Sequence, residues 1–385
     1  MNDLVITNGQ VLLACGVVQD IDVGVRAGRI AQIGEHLHGS RTIDARGAYV
    51  LPGLIDLHTH GIGFESCDSE TLHGYARAEA ERGATTFFPT IFAPPARAIE
   101  QMQRHRRATD DLAALPQVGG FRLESPYLAH AGGGLTRDLA PITAETTQAL
   151  LEAGGGHIKI WDISPELPGA PDTIRQLSAL GIVCSLAHTH ATIDQARAAV
   201  AAGARLVTHL FDTFVVPQMV DPGVYPAGLT DYLLTEDRVV CEIIADATHV
   251  APLLVEKTFR CKTANGLVFV TDSNYGAGLP AGRYTLPNDW GRIAIDGPNN
   301  GVRLVDRGMT LAGSALTPID ALRNAVRIFG KDIAIASRVC STTPARLLGL
   351  NKGDIAVGKD ADLILVDDDL RVLYTIVAGT VVFAA

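Results

Sequence analysis

Residues 49–61, YVLPGLIDLHTHG, combine an apolar run with a His-x-His pair at its end. Alternate side chains of a β-strand lie on one face, so His58 and His60 point the same way and Thr59 points away. Two imidazoles at the end of one buried strand suit a zinc-type metal ion, which binds neutral histidine nitrogens. A surface His-x-His at a turn is the alternative, but the apolar strand before the pair and Gly61 after it favour a metal site.

Strand-like and helix-like patterns alternate through the middle of the chain, beginning with this first strand. Eight strands are predicted, at residues 49–58, 84–90, 119–124, 157–163, 182–188, 206–209, 239–245 and 267–272. Helical patterns fall between the strands and after the last of them, for example at residues 69–82, 96–113, 143–153, 170–180, 192–202, 253–264 and 318–329. Eight βα units predict an α/β fold, a (β/α)8 TIM-like barrel with its active site at the carboxyl ends of the strands. A doubly wound open sheet is the alternative.

Both ends of the chain are rich in short strand-like runs that Gly and Asn separate. Residues 1–49 alternate apolar and polar positions, and the stretch that begins near residue 353 does the same. Such alternation is typical of antiparallel strands. We therefore expect residues 1–49 and 350–385 to form one small β-sandwich domain, and residues 50–349 to form the barrel.

Side chains that can bind metal or move protons follow the ends of the predicted strands. They are His58 and His60 after the first strand, Glu124 after the third, His188 and His190 after the fifth, His209 after the sixth, Asp246 and His249 after the seventh, and Asp272 after the eighth. Side chains with only structural roles would be scattered along strands and helices. The clustering therefore predicts a metal site at the carboxyl end of the barrel.

The chemistry of such a site follows from its residue types. A divalent ion held by histidine and carboxylate acts as a Lewis acid and lowers the pKa of its bound water to about 7, which makes hydroxide available as a nucleophile. A nearby carboxylate must then accept a proton and pass it to the leaving nitrogen. Asp272, at the end of the apolar strand LVFVTD, is the candidate for this general acid/base, although a helix N-cap is the alternative for this residue alone.

Composition and charge narrow the classes of partner. The chain has 385 residues, of which 47% are hydrophobic and 19% charged, and its net charge is −10 with no run of Lys or Arg. We therefore expect a small-molecule substrate and neither nucleic acid nor a membrane as partner. Six cysteines are scattered without a Cys-x-x-Cys spacing, and the first residues lack a secretory signal pattern, so a cytoplasmic location is expected.

A series of longer motifs resembles one enzyme family. The motifs are LPGLIDLHTHG, LESPYL, ISPE, LAHTHAT, VTHLFDTF, IADATHV, TDSNYGAGLPAGRY, LAGSALTP and TTPARLLGLNKGDIAVGKDADLILVDDDL. Together they resemble the amidohydrolase superfamily and, within it, the N-acetylglucosamine-6-phosphate deacetylases. The resemblance implies a (β/α)8 barrel with a small β domain from both termini, one or two divalent ions, of which Zn²⁺ is favoured and Fe²⁺ is the alternative, and a homodimer.

The resemblance also implies roles for individual residues. Glu124, His188 and His209 match the ligands of the principal metal, whereas His58 and His60 match the pair that holds a second ion. Asp272 matches the acid/base that activates water, His249 matches a substrate-contacting histidine, and Ser314 belongs to a loop that closes after the eighth strand.

Several positions depart from the family pattern. Thr136 stands where the family has a histidine that polarises the substrate carbonyl, and His130 is a nearby substitute with different spacing. Asp212 and Thr213 stand where the family has Asn-Ala, which grips phosphate, and an added acid would repel a phosphate dianion. No Lys or Arg lies between Phe211 and Asp237. We expect the reaction type to be kept and the substrate to need no phosphate.

The sequence thus predicts a metal-dependent amidohydrolase that hydrolyses an N-acyl amide of a small polar substrate, N-acetylglucosamine-6-phosphate or a related compound. The alternatives are a deaminase or cyclic-amide hydrolase on the same barrel, and a non-catalytic scaffold. A scaffold would have no reason to keep six such residues together at the strand ends. Lys159 is a further alternative ligand, as a carboxylated lysine that bridges two metals.

Overall fold

The computed structural model describes residues 1–218, 221–287 and 290–385. Seven short strands precede the barrel. They are β1 (Leu4–Thr7), β2 (Gln10–Leu12), β3 (Val18–Asp20), β4 (Asp22–Arg26), β5 (Arg29–Gly34), β6 (Thr42–Asp44) and β7 (Tyr49–Pro52). Four of them form a sheet in the order β5-β4-β1-β6, in which only the β1–β6 pair is parallel.

Eight parallel strands follow in one sheet, and each one pairs with the next strand of the barrel. They are β8 (Leu54–Thr59), β11 (Ala84–Ile91), β12 (Phe121–Leu123), β13 (Ile158–Ile163), β14 (Val183–Leu186), β15 (Leu206–Val207), β16 (Val240–Ile244) and β17 (Leu267–Val270). A two-stranded ribbon of β9 (Gly61–Ile62) and β10 (Glu65–Ser66) leaves the end of β8. The predicted barrel is confirmed.

The first and eighth strands of the barrel meet at a seam. The Asp272 N–H donates to the His58 carbonyl at 2.8 Å, and the His60 N–H donates to the Ser273 carbonyl at 2.8 Å. Thr59 and Ser273 form an isolated parallel bridge there. These bonds close the sheet into a barrel, whereas the alternative open sheet would have left both edge strands unpaired.

A small antiparallel sheet that the sequence did not predict follows the eighth strand. Its strands are β18 (Gly282–Thr285), β19 (Arg292–Ile295), β20 (Val302–Leu304) and β21 (Thr310–Leu311), in that order. This sheet has a separate apolar cluster in which Ile293 and Val302 are buried, and the cluster also contains Tyr275 from the loop after β17. The indole of Trp290 donates to the Asp68 carboxylate at 3.1 Å and so ties this insertion to the loop that follows β8 and its ribbon.

Three C-terminal strands return to the N-terminal ones. These are β22 (Leu363–Val366), β23 (Val372–Val377) and β24 (Thr380–Ala384), and they form a six-stranded sheet in the order β24-β23-β22-β7-β2-β3. This sheet and the four-stranded sheet share one apolar core, as Ile6, Val11 and Leu363 illustrate. The predicted small β domain from both termini is therefore observed.

The predicted first strand, 49–58, is wrong in one respect, because it is two strands. Tyr49–Pro52 pairs with β22 and β2 of the terminal sheet, and only Leu54–Thr59 belongs to the barrel. Gly53 lies between them, where a Cβ atom would come within 2.2 Å of the Thr85 side chain. The division of the chain at residues 49 and 350 stays a prediction, although this pairing places the change of sheet near residue 53.

Ten α-helices accompany the barrel over residues 1–218, 221–287 and 290–385. They are α1 (His73–Glu81), α2 (Pro95–Ala108), α3 (Ala144–Gly154), α4 (Ala170–Ala179), α5 (Ile193–Ala202), α6 (Leu229–Thr235), α7 (Pro252–Lys262), α8 (Pro318–Arg327), α9 (Ile333–Ser337) and α10 (Thr343–Leu347). Seven of them overlap the predicted helical stretches, and α6, α9 and α10 were not predicted. Thr192 begins α5 with a capping box, in which its hydroxyl accepts from the Gln195 N–H. Within the described ranges, none of these helices has the length and apolar character that crossing a bilayer requires.

Candidate metal centre

Six of the predicted site residues meet at the carboxyl end of the barrel. His58 lies in β8 and His60 just beyond it, while Glu124 follows β12 by one residue. His188, His209 and Asp272 each follow their strands by two residues and adopt left-handed φ values of 44°, 25° and 46°. Non-glycine residues adopt this conformation only at an energetic cost, and such residues cluster at functional sites.

The Glu124 carboxylate lies between two pairs of imidazoles. Its Oε1 atom is 2.9 Å from His188 Nε2 and 3.3 Å from His209 Nε2. Its Oε2 atom is 3.0 Å from His60 Nε2 and 3.5 Å from His58 Nε2. One carboxylate therefore faces both predicted sets of ligands, with one oxygen toward each.

Asp272 completes the first of these sets. Its Oδ1 atom lies 3.3 Å from His60 Nε2 and 3.4 Å from His58 Nε2. The ligand atoms of His58, His60 and Asp272 lie within 4.8 Å of one another, and so do those of the second set, which consists of Glu124, His188 and His209.

The donor set fits a divalent metal ion. The Nε2 atoms of His58 and His60 are 3.2 Å apart, and both face carboxylate oxygens in a buried site. The Nδ1 atoms of His188 and His209 have no hydrogen-bond partner among the described residues, so these two rings make their close polar contacts through Nε2. Neutral imidazole nitrogens together with carboxylate oxygens are the usual ligands of zinc-type and iron-type ions.

The carboxylates dominate the electrostatics of this site. Burial by itself lowers the pKa of His60, but Glu124 and Asp272 outweigh it and raise the pKa to about 10. Burial also lowers the pKa of His209, and the acids Glu124, Asp212 and Asp272 reverse this and raise the pKa to about 10. The site therefore stabilises positive charge at the position that the ligand atoms surround.

A buried ion network lies beneath the centre, and the sequence did not predict it. The Arg122 guanidinium is fully buried and donates to Asp162 and to Glu242, the shortest bond being 2.6 Å to Glu242 Oε1. The other oxygen of Glu242 lies 3.6 Å from His58 Nδ1. Arg122 and Glu124 are two residues apart in one strand, so both side chains point into the barrel. This spacing could have indicated that Arg122 is buried, but it could not have identified its acidic partners on β13 and β16.

His249 and Asp246 form a pair after the seventh strand. The Asp246 carboxylate lies 2.7 Å from His249 Nδ1 and also accepts the His249 main-chain N–H at 2.9 Å. Burial lowers the pKa of His249, but the hydrogen bond that its Nδ1–H donates to the Asp246 carboxylate outweighs burial and raises the pKa. The carboxylate fixes the ring so that Nε2 is the nitrogen left for other partners.

Asp212 and Thr213 lie directly beside the centre. The Asp212 N–H donates to the His209 carbonyl at 3.0 Å. The Asp212 carboxylate lies within 4.8 Å of the ligand atoms of His209 and Asp272. Thr213 has a left-handed φ of 60°, and its buried hydroxyl has no hydrogen-bond partner among the described residues.

The loop after β12 closes over His188. The His130 ring lies 5.7 Å from the His188 ring and 4.5 Å from the His190 ring, and its buried Nε2 has no hydrogen-bond partner in the described part of the chain. Gly132 in the same loop has a φ of 56°, and a Cβ there would lie 2.8 Å from His188 Cε1 and 2.8 Å from Thr213 Cγ2. Position 132 therefore requires glycine, because a side chain would be strained at this φ and would collide with His188 and Thr213.

Two other residues named from the sequence lie elsewhere. Thr136 is exposed at the start of the 3-10 turn Thr136–Asp138. The Lys159 ammonium donates to the Gly156 carbonyl at 2.9 Å, near the amino end of β13 and therefore at the opposite end of the strand from the metal centre. A bridging carboxylated lysine is therefore not supported.

Ser314 is fully buried behind Asp272. Its main-chain N–H donates to the Asp272 carbonyl at 2.7 Å. Its hydroxyl donates to the Thr271 carbonyl and accepts the Leu316 N–H at 3.0 Å. These bonds favour a role in holding Asp272 over direct contact with substrate.

Comparisons with known proteins agree with this geometry. The amidohydrolase family pattern matches residues 49–382. An N-acetylglucosamine-6-phosphate deacetylase from Lysinibacillus sphaericus is 30% identical over 390 residues, which are 98% of this chain and 97% of the relative. A deacetylase of the same name from Vibrio furnissii is 32% identical over 346 residues, covering 87% of this chain and 83% of the relative.

Solved structures extend the likeness to the whole fold. A mutant N-acetyl-D-glucosamine-6-phosphate deacetylase from Mycobacterium smegmatis, in complex with N-acetyl-D-glucosamine-6-phosphate, superposes with a TM-score of 0.86 at 28% identity over 100% of both chains. The deacetylase from Thermotoga maritima gives a TM-score of 0.83 at 26% identity, covering 99% of this chain and 100% of that one. With its histidines and carboxylates gathered at the carboxyl end of the barrel, the chain belongs to the amidohydrolase family.

Proposed function

We propose that this protein is a metal-dependent hydrolase that removes the acyl group from an N-acyl amide of a small polar substrate. The position of Glu124 carries the proposal, because its two oxygens face the His58–His60 pair and the His188–His209 pair separately. The relatives named above are deacetylases, which supports an N-acetyl amino sugar as the substrate class.

Each residue of the centre has a distinct part in this reaction. We propose that Glu124, His188 and His209 would hold a principal ion and that His58 and His60 would hold a second ion, with one Glu124 oxygen facing each pair of histidines. Zn²⁺ is favoured and Fe²⁺ is the alternative, since both bind imidazole and carboxylate. A divalent ion bound there would act as a Lewis acid and lower the pKa of a coordinated water.

Asp272 is assigned the proton transfers. Burial raises the pKa of its carboxyl, but the His58 and His60 imidazoles oppose burial and hold the pKa below its ordinary range. Asp272 is therefore ionised at neutral pH and can accept a proton from water. The same carboxyl would then donate that proton to the amide nitrogen as the C–N bond breaks.

The substrate-facing residues are proposed from their positions. His249, which Asp246 orients, and His130, whose Nε2 is unpartnered, are the candidates for hydrogen bonds to the substrate. Thr136 is exposed and would contact only an extended substrate. The Asp212 carboxylate close to Asp272 disfavours a substrate dianion, so we propose that the substrate need not be phosphorylated.

The test measures turnover and metal content on the same preparation. N-acetylglucosamine-6-phosphate, N-acetylglucosamine and other small N-acetyl compounds are supplied to metal-replete protein, and acetate and ammonia are assayed separately. Release of acetate with an equivalent amine supports the deacylase. Release of ammonia without acetate would instead show the deaminase alternative, and metal-replete protein without any turnover would contradict the proposal.

The variant Asp212→Asn tests whether the Asp212 carboxylate discriminates against the phosphorylated sugar. If Asp212 repels phosphate, this isosteric change is expected to improve kcat/KM for the phosphorylated sugar more than for the unphosphorylated one. An equal effect on both sugars would show that Asp212 does not select by charge. A homodimer and a cytoplasmic location stay predictions, which light scattering and cell fractionation would test.

A further inference from the structure

The seam between β8 and β17 joins two parts of the candidate centre. Thr59 lies between His58 and His60, and Ser273 follows Asp272 directly. The sheet order ends at these two strands, and an isolated bridge between Thr59 and Ser273 joins them. The spacing between the histidine pair and the Asp272 carboxylate therefore depends on how this bridge is held.

Four buried polar side chains meet at the bridge, and we call them the seam cluster: Thr59, Tyr75, Glu79 and Ser273. The Thr59 hydroxyl oxygen is 2.7 Å from the Ser273 hydroxyl and 2.7 Å from the Tyr75 hydroxyl. The same hydroxyl donates to Glu79 Oε1 at 3.2 Å. Each of the four side chains is at most 1% exposed.

When Glu79 is ionised, hydrogen-bond counting gives one direction for each bond in the seam cluster that satisfies all the contacts. A hydroxyl has one proton and two lone pairs, so Thr59 can donate once and accept twice. Because Thr59 donates to Glu79, it must accept from Tyr75 and from Ser273 to satisfy all three contacts. Glu79, on helix α1, is thus the acceptor at the end of the network, and it anchors the seam to a helix outside the barrel.

The seam cluster acts on the centre through strand geometry. The Thr59 side chain points opposite to His58 and His60, so fixing Thr59 also fixes the direction in which both imidazoles project. On the other side, Ser273 bonds to the Thr59 hydroxyl and holds the chain next to Asp272. The outcome is that Asp272 Oδ1 lies 3.3 Å from His60 Nε2.

We propose that Thr59, Ser273 and Glu79 are positioning residues that set the distance between the His58–His60 pair and Asp272. This inference rests on the proposed metal centre but not on the identity of the substrate. Groups that hydrogen-bond directly to metal ligands influence metal affinity by about 10- to 100-fold in other proteins, and the seam cluster acts on the same ligands through the main chain of β8 and of the residues after β17. A cluster that only stabilised packing would change the melting temperature without changing metal affinity.

The test compares two buried threonines. Thr59→Val keeps the shape of the side chain and removes its hydroxyl, whereas Thr59→Ser keeps the hydroxyl. Thr147→Val is the matched control, because the buried Thr147 hydroxyl is 2.7 Å from the Tyr127 hydroxyl but belongs to helix α3, away from the seam. Zn²⁺ affinity is measured by competition with a chelator, Co²⁺ coordination by visible absorption, and folding by thermal melting.

Thr59→Val is expected to bind Zn²⁺ at least about tenfold more weakly than wild type and to alter the Co²⁺ spectrum. Thr59→Ser should restore most of the Zn²⁺ affinity and of the Co²⁺ spectrum. Thr147→Val should keep the wild-type Zn²⁺ affinity and Co²⁺ spectrum although it melts at a lower temperature. Wild-type metal affinity in Thr59→Val would overturn the proposal. If Thr59→Val does not fold, Ser273→Ala is judged by the same criteria.

Two results for the wild-type protein distinguish a failure of the proposed activity from a failure of this inference. Wild-type protein that binds Zn²⁺ but hydrolyses no N-acyl compound would contradict the proposed activity and leave the metal-affinity comparison standing. Wild-type protein that binds no divalent ion would overturn the metal centre and this inference together.

Discussion

Asp272 Oδ1 lies 3.3 Å from Nε2 of His60, across the seam where the eighth strand of the barrel meets the first. The two residues are far apart in the sequence, and main-chain bonds on either side of them hold the strands together. A carboxylate this close to the histidine pair can both face a bound cation and exchange protons with a water on it.

Asp272→Asn should abolish most of the activity while the principal ion assigned to Glu124, His188 and His209 stays bound. The amide keeps the size of the side chain and cannot accept the proton, so kcat is expected to fall by about 10²- to 10⁴-fold. Steady-state kinetics and elemental analysis on one sample would check this. If kcat stayed within about tenfold of wild type, Asp272 would not be the general base.

His188→Ala should lower the metal content itself. The ring lies 2.9 Å from the Glu124 carboxylate, and its loss removes one of the three ligands assigned to the principal ion. The control is His190→Ala, which removes an exposed imidazole two residues away. Equal stoichiometry in both variants, measured by elemental analysis, would rule out a ligand role for His188.

Gly132→Ala should displace the loop after β12 or His188 itself. The added methyl group would lie 2.8 Å from His188 Cε1, and the φ of 56° disfavours any residue with a Cβ. We expect lower kcat and a loss of stability of more than about 1 kcal/mol.

Gly133→Ala is the matched control for Gly132→Ala. At Gly133 the nearest atom to a new Cβ is the Leu311 carbonyl oxygen at 3.5 Å, which is an ordinary contact. Thermal melting and kinetics of the two variants should therefore differ. Indistinguishable variants would show that the loop does not press on His188.

Arg122→Leu should destabilise the whole barrel. The substitution leaves the buried carboxylates of Asp162 and Glu242 without their cation, and breaking such a buried pair costs about 3–5 kcal/mol. Arg175→Leu removes an exposed ion pair with Asp172 and should change stability by less than about 1 kcal/mol. Chemical denaturation measures both, and similar values would contradict this account of Arg122.

The barrel and most of its ligands could be predicted because their signals are local. Apolar runs of strand length identify the strands, and the histidine or acid that follows six of the eight identifies positions that face the active site. His58, Glu124, His188 and His209 were all found in this way. The family likeness added their assignment to two sets but did not provide their geometry.

Other features could not be predicted because they depend on residues that are distant in sequence. The partners of Arg122 come from two other strands, and the contact of Gly132 with His188 depends on how a loop folds back. The bond of the Lys159 ammonium to the Gly156 carbonyl depends on the fold of the chain before β13. The insertion at residues 282–311 resembles ordinary short strands in sequence.

The sequence by itself determined the type of barrel, the two-ended β domain and the donor atoms available at the strand ends. Hydrophobic periodicity and residue chemistry are properties of neighbouring residues, so they can be read along the chain. Only the tertiary structure decided that one oxygen of Glu124 faces each histidine pair and that the hydroxyls of Thr59 and Ser273 meet at the seam. These distances exist because the sheet closes on itself, which brings its first and last strands into contact.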